Sequence, residues 1–213
     1  MTKELWRLGE QYEGAPLDLA DCDPDPIVEF RRWFQRAVDA QIPTVNAMTL
    51  ATVDERGRPA ARIVLLKEVD DRGFVFFTNY ESRKAHDLAA HAFAAIVLFW
   101  EPLHRQVRIE GAIERIAPQE SDAYFASRPR GSQFGAIASP QSRPIANREV
   151  LAQWVAEAEQ AVGAAQPARP AHWGGYRLIP DMLELWQGQP SRLHDRVRYR
   201  REHERWVRDR LAP

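Results

Sequence analysis

Cysteine is nearly absent: Cys22 stands alone among 213 residues. That excludes an intrachain disulfide and a cysteine-built metal site, so no metal is expected and the chain reads as a cytoplasmic protein. No apolar run approaches the roughly 20 residues a membrane-spanning helix needs. The opening Met1-Thr-Lys-Glu-Leu-Trp6 lacks the apolar core of a secretion signal. Net charge is also missing. A formal charge of -1 at pH 7 gives no general attraction to nucleic acid or to a membrane surface, and neither is expected as a partner. Lysine is scarce where arginine is abundant, a bias toward side chains that hold phosphate and carboxylate by two-point contacts. What remains is ordinary for a soluble globular protein: 45% hydrophobic and 28% charged residues, enough for one well-buried core.

Residues 1–24 are polar and irregular and read as a flexible N-terminal arm. A single domain is expected over 25–213. Asp25-Pro26 reads as an N-cap followed by proline at the first helical position. Ile27, Phe30, Phe34 and Val38 then recur at helical spacing as far as Gln41. Strands are expected at Val45–Val53, Pro59–Val69, Phe74–Thr78, Phe93–Trp100 and Gln106–Ile116, joined by turns such as Asp54-Glu-Arg-Gly57. Helices are expected at Ser82–His91, at Pro118–Ser127 with Pro129 ending it, and at Arg148–Ala161. Four more strands follow, at Gly175–Ile179, Met182–Trp186, Val197–Arg201 and Arg205–Arg208. Short strands in hairpin order with inserted and flanking helices predict an α+β, mainly antiparallel barrel.

Three segments carry anion-binding chemistry. In Asn79-Tyr-Glu-Ser82-Arg83-Lys84, Ser82 reads as an N-cap, which places Arg83 and Lys84 in the first helical turn. Two cations there oppose the positive end of the helix dipole. Either they are simply solvated, or an anion at the helix end gathers the backbone N–H groups, the serine and both cations. Arg62-Ile-Val-Leu-Leu-Lys67 is an apolar strand bracketed by cations. Regular strand geometry puts Arg62 and Lys67 on opposite faces, roughly 16–17 Å apart. They serve two ends of a long ligand or two ligands, or they are strand-end residues reaching to water. Tyr124 and Arg128 lie four apart on one helix face, with Ser132 in the turn after Pro129. A phenol, a guanidinium and a hydroxyl form a cradle for a phosphate dianion, or a helix end capped by arginine with no ligand. Gln141 and Ser142 add polar groups in a loop, and Gln106 is a mid-strand amide.

The C-terminal segment is denser. Read as a strand, Arg192-Leu-His194-Asp-Arg196 places Arg192, His194 and Arg196 on one face. Such a face is either a solvated edge or a surface facing an anionic ligand. His194 titrates near neutrality and could act as a base or a donor. The neighbouring Trp186-Gln-Gly188 supplies a platform on which an aromatic ring could stack. The arginine-rich tail up to Arg210 is interspersed with acids, which suits a solvated or interface strand pair better than a nucleic-acid surface.

In order and spacing, Arg62-Ile-Val-Leu-Leu-Lys67, Ser82-Arg-Lys-Ala85, Arg105-Gln-Val107, Tyr124-Phe-Ala-Ser-Arg-Pro-Arg-Gly-Ser132, Gln141-Ser142, Trp173-Gly-Gly175, Trp186-Gln-Gly188 and Arg192-Leu-His-Asp-Arg196 resemble the pyridoxamine 5′-phosphate oxidase family. The resemblance runs from Asp25 to Pro213. It implies an FMN-binding split barrel acting as a homodimer, with FMN at the subunit interface and the segment 173–213 serving dimerisation and substrate binding. The implied reaction oxidises pyridoxamine 5′-phosphate or pyridoxine 5′-phosphate to pyridoxal 5′-phosphate, with O2 reduced to H2O2. Carried over by position, the FMN contacts are Arg62, Ile63, Val64, Leu65, Leu66, Lys67, Phe77, Thr78, Arg83, Lys84, Gln106, Gln141, Ser142, Trp186 and Arg196. The substrate phosphate meets Lys67, Tyr124, Arg128 and Ser132. Arg192 and His194 lie over the pyridine ring as the catalytic pair, and Tyr12 reaches the substrate from the arm. The family often carries a basic pair before an acidic residue and this tyrosine; in Gly9-Glu10-Gln11-Tyr12 the basic pair is absent. Two other readings share parts of the pattern: another split-barrel flavin oxidoreductase, and a non-catalytic vitamin B6 phosphate-binding protein.

Overall fold

The computed structural model describes residues 12–213. Helix α1 spans Pro26–Asp39, and Asp25 caps it, its Oδ1 accepting from the N–H groups of Ile27 and Val28 at 2.8 and 3.4 Å. The buried stripe runs through Ile27, Phe30, Trp33 and Ala37. Val38, expected on that stripe, is 41% exposed, because the three- and four-residue steps pass through Trp33 and Ala37 instead. Phe30 meets Phe74 edge-on at 4.9 Å, seating the helix on the sheet.

The strands are β1 (Ala47–Val53), β2 (Pro59–Leu65), β3 (Glu68–Asp70), β4 (Gly73–Asn79), β5 (Phe93–Trp100), β6 (Arg105–Arg115), β7 (Trp173–Gln187), β8 (Asp195–Glu202) and β9 (Arg205–Arg210). Every pairing is antiparallel. The order is β2-β1-β5-β6-β7-β4-β3, with β8 on β7 and β9 on β8. Four further helices accompany the sheet: α2 (Arg83–Ala90), α3 (Pro118–Ser127), α4 (Arg130–Ala138) and α5 (Arg148–Val162). This is the α+β, mainly antiparallel split barrel expected from the sequence. The core fills its concave side with Trp33, Met48, Leu50, Phe74, Phe76, Ile96, Leu98, Trp100, Leu183, Leu185 and Tyr199, each no more than 1% exposed.

Three elements differ from expectation. The strand expected over Pro59–Val69 is two strands, β2 and β3, with a bend between them. There the Leu66 N–H bonds the Asn46 carbonyl and the Lys67 N–H bonds the Val75 carbonyl, at 2.9 Å each. Pro129 ends α3 but also opens α4, an unexpected helix, because proline at a helix start loses no hydrogen bond. The two strands expected at Gly175–Ile179 and Met182–Trp186 are the single strand β7. Its register shifts opposite Glu110/Gly111, where Gly111 faces Pro180 and Asp181 is the extra residue. Gly111 is required there: a Cβ would stand 2.0 Å from the Ile179 carbonyl oxygen. After the shift β7 changes partner, pairing β4 through Leu178 and β8 from Met182 onward.

Of the expected N-terminal arm, 1–11 lie outside the described residues. Residues 12–24 lie along the C-terminal segment. The Gly14 N–H bonds the Gly188 carbonyl at 3.1 Å, and the Leu17 N–H bonds Asp195 Oδ2 at 3.1 Å.

Candidate active site

A cavity of about 520 Å³ opens between β2, β4, α3 and the start of α4. It is lined by Arg62, Ile63, Val64, Leu65, Lys67, Phe77, Thr78, Lys84, Tyr124, Arg128, Pro129, Ser132, Gln141 and Trp173. Arg62 and Lys67 therefore share one cavity rather than opposite faces. Strand β2 ends at Leu65, and the bend at Leu66 returns Lys67 to the same side. Leu66 itself turns into the core, 4% exposed, so only its backbone could approach a ligand.

At one end Arg62 is held by Thr52 Oγ1 at 2.6 Å, the Leu50 carbonyl at 3.2 Å and Asp87 Oδ2 at 3.4 Å. The Thr52 hydroxyl donates to the same Asp87 oxygen at 2.6 Å. Lys84 Nζ donates to Gln141 Oε1, Thr78 Oγ1 and Ser82 Oγ at 2.8, 3.1 and 3.2 Å. These partners are neutral. Burial, and then the charge of Arg62, lower the Lys84 pKa to about 8. A cation so placed is short of negative charge.

The helix-end arrangement differs from expectation. Ser82 is the α2 N-cap by position, but its hydroxyl makes no capping bond and accepts from Lys84 instead. Ser142, at φ 74°, supplies the cap: its Oγ accepts from the Arg83 N–H at 3.2 Å. The Arg83 side chain points away from Lys84, into a separate depression with Asp54, Glu55, Arg56, His86 and Asp87.

At the other end Arg128 is lowered in pKa by burial, and its Nη1 is buried with no hydrogen-bond partner. An unsatisfied guanidinium N–H of this kind costs stability unless a ligand completes it. Arg128 lies 4.7 Å over the Trp173 ring. Phe77, Tyr124 and Trp173 form a near-parallel cluster of three rings, with Phe77 3.9 Å from Tyr124 and 5.4 Å from Trp173 and the last two 6.1 Å apart. Lys67 Nζ stands 5.9 Å over Tyr124. Ser132 sits in the first turn of α4, not in a loop. Trp173 was not among the expected site residues, although an aromatic residue before two glycines marks a backbone packed too closely for side chains. A Cβ on Gly174 would meet Tyr80 Oη at 2.2 Å.

The C-terminal groups form a second cluster that does not line this cavity. Gln106, Trp186 and Arg196 occupy one cross-strand row on β6, β7 and β8. Arg196 is already paired, with Nε bonded to the buried Glu184 at 2.8 Å and Nη1 to the Ala212 carbonyl. The one-face reading of Arg192, His194 and Arg196 is overturned. Pro190–Arg192 is a 3-10 turn, Ser191 and Arg192 have φ of 55° and 60°, and β8 starts only at Asp195. Two consecutive left-handed non-glycine residues are strained, a pattern concentrated at functional sites. They leave Arg192 exposed, without a hydrogen bond or ion pair among the described residues. His194 packs on Trp186 at 4.5 Å, and its Nδ1 accepts the Gln189 N–H at 3.1 Å. The neutral ring therefore carries its proton on Nε2 and presents a donor. Burial and Arg192 lower its pKa, favouring that neutral form. Tyr12 meets Trp186 and His194 edge-on at 5.5 and 5.6 Å.

Fold and cavity define the class first: a split barrel whose cavity joins stacked aromatic rings to cations. A pyridoxamine 5′-phosphate oxidase-related, FMN binding protein from Nostoc punctiforme shares the fold, with TM-score 0.69 at 17% identity over 86% of this chain and 97% of that one. A family model described as Pyridoxamine 5'-phosphate oxidase matches residues 34–161, and one described as the Pyridoxine 5'-phosphate oxidase C-terminal dimerisation region matches 173–213. The chain is 56% identical to the pyridoxine/pyridoxamine 5′-phosphate oxidase of Paraburkholderia phytofirmans, covering 98% of this chain and 99% of that protein. It is 51% identical to the protein of that name from Cyanothece sp., covering all of both. PhzG from Burkholderia lata 383, solved with tetrahydrophenazine-1-carboxylic acid, has TM-score 0.89 at 31% identity over 96% of this chain and 100% of that one. The chain belongs to the pyridoxamine 5′-phosphate oxidase family, and with it to the FMN flavoproteins. Among the described residues no helix is long and apolar enough to cross a membrane.

Proposed function

We propose that the chain oxidises pyridoxamine 5′-phosphate and pyridoxine 5′-phosphate to pyridoxal 5′-phosphate, with O2 as final acceptor. The alcohol and O2 give the aldehyde and H2O2; the amine, O2 and water give the aldehyde, ammonia and H2O2. The observation that carries this reading is the buried, unpartnered Nη1 of Arg128 in a cavity whose other end holds a second under-neutralised cation, Lys84. Two anion sites in one aromatic-lined cavity suit a phosphorylated cofactor and a phosphorylated substrate together.

These residues fit FMN. Arg62 and Lys84, with Thr78 and Gln141, would hold its phosphate, and Ile63, Val64 and Leu65 would offer strand edge and apolar surface. FMN, when bound, supplies the two-electron acceptor. Arg128, Lys67, Tyr124 and Ser132 would hold the substrate phosphate by charge-assisted bonds. Ile63 is 64% exposed and Leu65 37%, so the cavity is open on the β2 side. A second copy of the chain would close it and bring Trp186, Arg192, His194 and Arg196 across the interface. Arg192 would steady the ring hydroxylate of the substrate. His194, with Nδ1 engaged, would donate from Nε2 and act by positioning rather than as a base. The main contribution of the protein is to hold two rings at reacting distance.

The likeness to PhzG supports a second reading, an oxidoreductase acting on a different ring system at the same site. Anaerobic mixing of the FMN-loaded protein with pyridoxamine 5′-phosphate separates the two. Bleaching of the visible flavin band, with recovery on admitting air, is expected. A band that stays oxidised would sink the B6 reading and leave the second one standing.

A further inference from the structure

We infer that His104 is a positioning residue, which latches Tyr12 over the Trp186–His194 corner and thereby sets affinity for substrate. The role in substrate affinity rests on the function proposed above; the latch itself does not.

His104 ends a 3-10 turn, Glu101–Leu103, with φ 51° and ψ 44°. That left-handed conformation is strained for a side chain this size, and glycine or asparagine would adopt it more easily. Its carbonyl accepts from the Gly188 N–H at 2.7 Å and from Gln187 Nε2 at 3.1 Å, so the backbone is fixed against the end of β7. From that fixed backbone the imidazole reaches onto the N-terminal strap. Nδ1 accepts the Glu13 N–H at 3.2 Å, and the ring meets Tyr12 edge-on at 5.0 Å.

Tyr12 and His104 close on Gly188 from two sides: a Cβ there would stand 2.8 Å from Tyr12 Cβ and 3.0 Å from His104 Cβ. The strap from Gly14 onward has anchors of its own: Gly14 to Gly188, Gln189 Nε2 to the Ala15 carbonyl, and Leu17 to Asp195. Tyr12 and Glu13 lie beyond those anchors; there the imidazole accepts the Glu13 N–H and gives Tyr12 a ring contact beside those with Trp186 and His194. Its loss would free Tyr12 to leave Trp186 and His194 while the strap stays attached behind it. A histidine kept in a conformation that glycine prefers, with both ring edge and nitrogen on the strap, points to the strap as its purpose rather than the turn.

The test compares His104→Gly, which keeps the turn and removes the latch, with His104→Asn, which keeps both the turn and a side-chain acceptor. Two readouts are taken on the FMN-loaded full chain. The first is hydrogen exchange at the Glu13 amide, which needs no substrate. Protection is expected to fall about tenfold in His104→Gly and to be largely kept in His104→Asn. The second is steady-state kinetics with pyridoxamine 5′-phosphate. KM is expected to rise about tenfold in His104→Gly with kcat and FMN affinity within about twofold of the parent. Adding His104→Gly to Tyr12→Ala should then change KM little further. Unchanged Glu13 exchange in both variants would overturn the latch. Lost exchange protection with unchanged KM, or a KM effect additive with Tyr12→Ala, would overturn its role in binding. If the parent itself does not turn over pyridoxamine 5′-phosphate, the function proposed above fails while the exchange result still decides the latch.

Discussion

The cavity beneath β2 and the corner around Trp186 solve opposite electrostatic problems. In the cavity, positive groups are left incomplete: Arg128 Nη1 has no partner and Lys84 is bonded only to neutral oxygens. At the corner most groups are already answered. Glu184, its side chain 3% exposed, bridges Arg108 at 2.8 Å and Arg196 at 2.8 Å, and His194 is fixed by Gln189. Arg192 alone stands free there among the described residues. The first region is built to be finished by anions, and the second is a finished frame presenting one cation and one imidazole donor. This division fits the composite site proposed above, in which a second copy brings the corner to the cavity.

Four measurements would break or sharpen that contrast. Arg192→Leu is expected to lower kcat by roughly 10²–10³-fold while FMN stays bound, the cost of losing one preorganised electrostatic donor. Equal loss of flavin would assign Arg192 to the cofactor instead. Arg128→Met should raise KM for pyridoxamine 5′-phosphate by about a hundredfold. Because an unsatisfied buried donor disappears, urea unfolding of the ligand-free protein should show no loss of stability. A clear loss would mean that Arg128 is a structural residue. Glu184→Gln removes the buried carboxylate between two arginines and should cost about 2 kcal/mol, reduced from the fully buried case by the partial exposure of both partners. A midpoint unchanged in urea would show that the corner is not the prearranged frame described above.

The smallest effect is one of pH. Lys84, lowered to about 8 in the ligand-free chain, is charged below that pH and loses its proton above it. A bound phosphate stabilises the charged form and raises the pKa. FMN affinity should therefore be fully present below pH 8 and fall by at most about tenfold per unit as pH rises through and beyond it. Flavin fluorescence titrations between pH 7 and 9.5 would test this, and a flat profile would place the phosphate away from Lys84.

Much of this was legible in the sequence, for identifiable reasons. The Asp25-Pro26 cap, the apolar run of β5 and the clustering of Tyr124, Arg128 and Ser132 are local signals, and local signals survive folding. The gathering of Arg62, Lys67 and Lys84 was less visible, because it depends on the bend at Leu66, set by backbone bonds to Asn46 and Val75 distant in sequence. Helix α4 was hidden because Pro129 reads equally as a stop or a start. The strand reading of 192–196 failed for a similar reason: Ser191 and Arg192 adopt left-handed backbone conformations without glycine to announce them. The tertiary frame, not local propensity, holds them there.

The extra residue at Asp181 gives strand β7 something like a reading frame. Ahead of it the even-numbered Tyr176 and Leu178 enter the core; behind it the odd-numbered Leu183 and Leu185 do. One strand thus aims Trp173 at the cavity and Trp186 at the corner, although an odd number of positions separates them. Deleting Asp181 alone would remove the bulge and restore simple alternation with every face kept: Pro180 and Met182 would still oppose Gly111 and Glu110, Leu183 and Leu185 would still enter the core, and Glu184 and Trp186 would still point out. Removing Met182 as well would, like a frameshift, turn everything downstream over, sending Glu184 and Trp186 into the core and Leu183 and Leu185 out, so at this point of the chain one residue can be spared and two cannot.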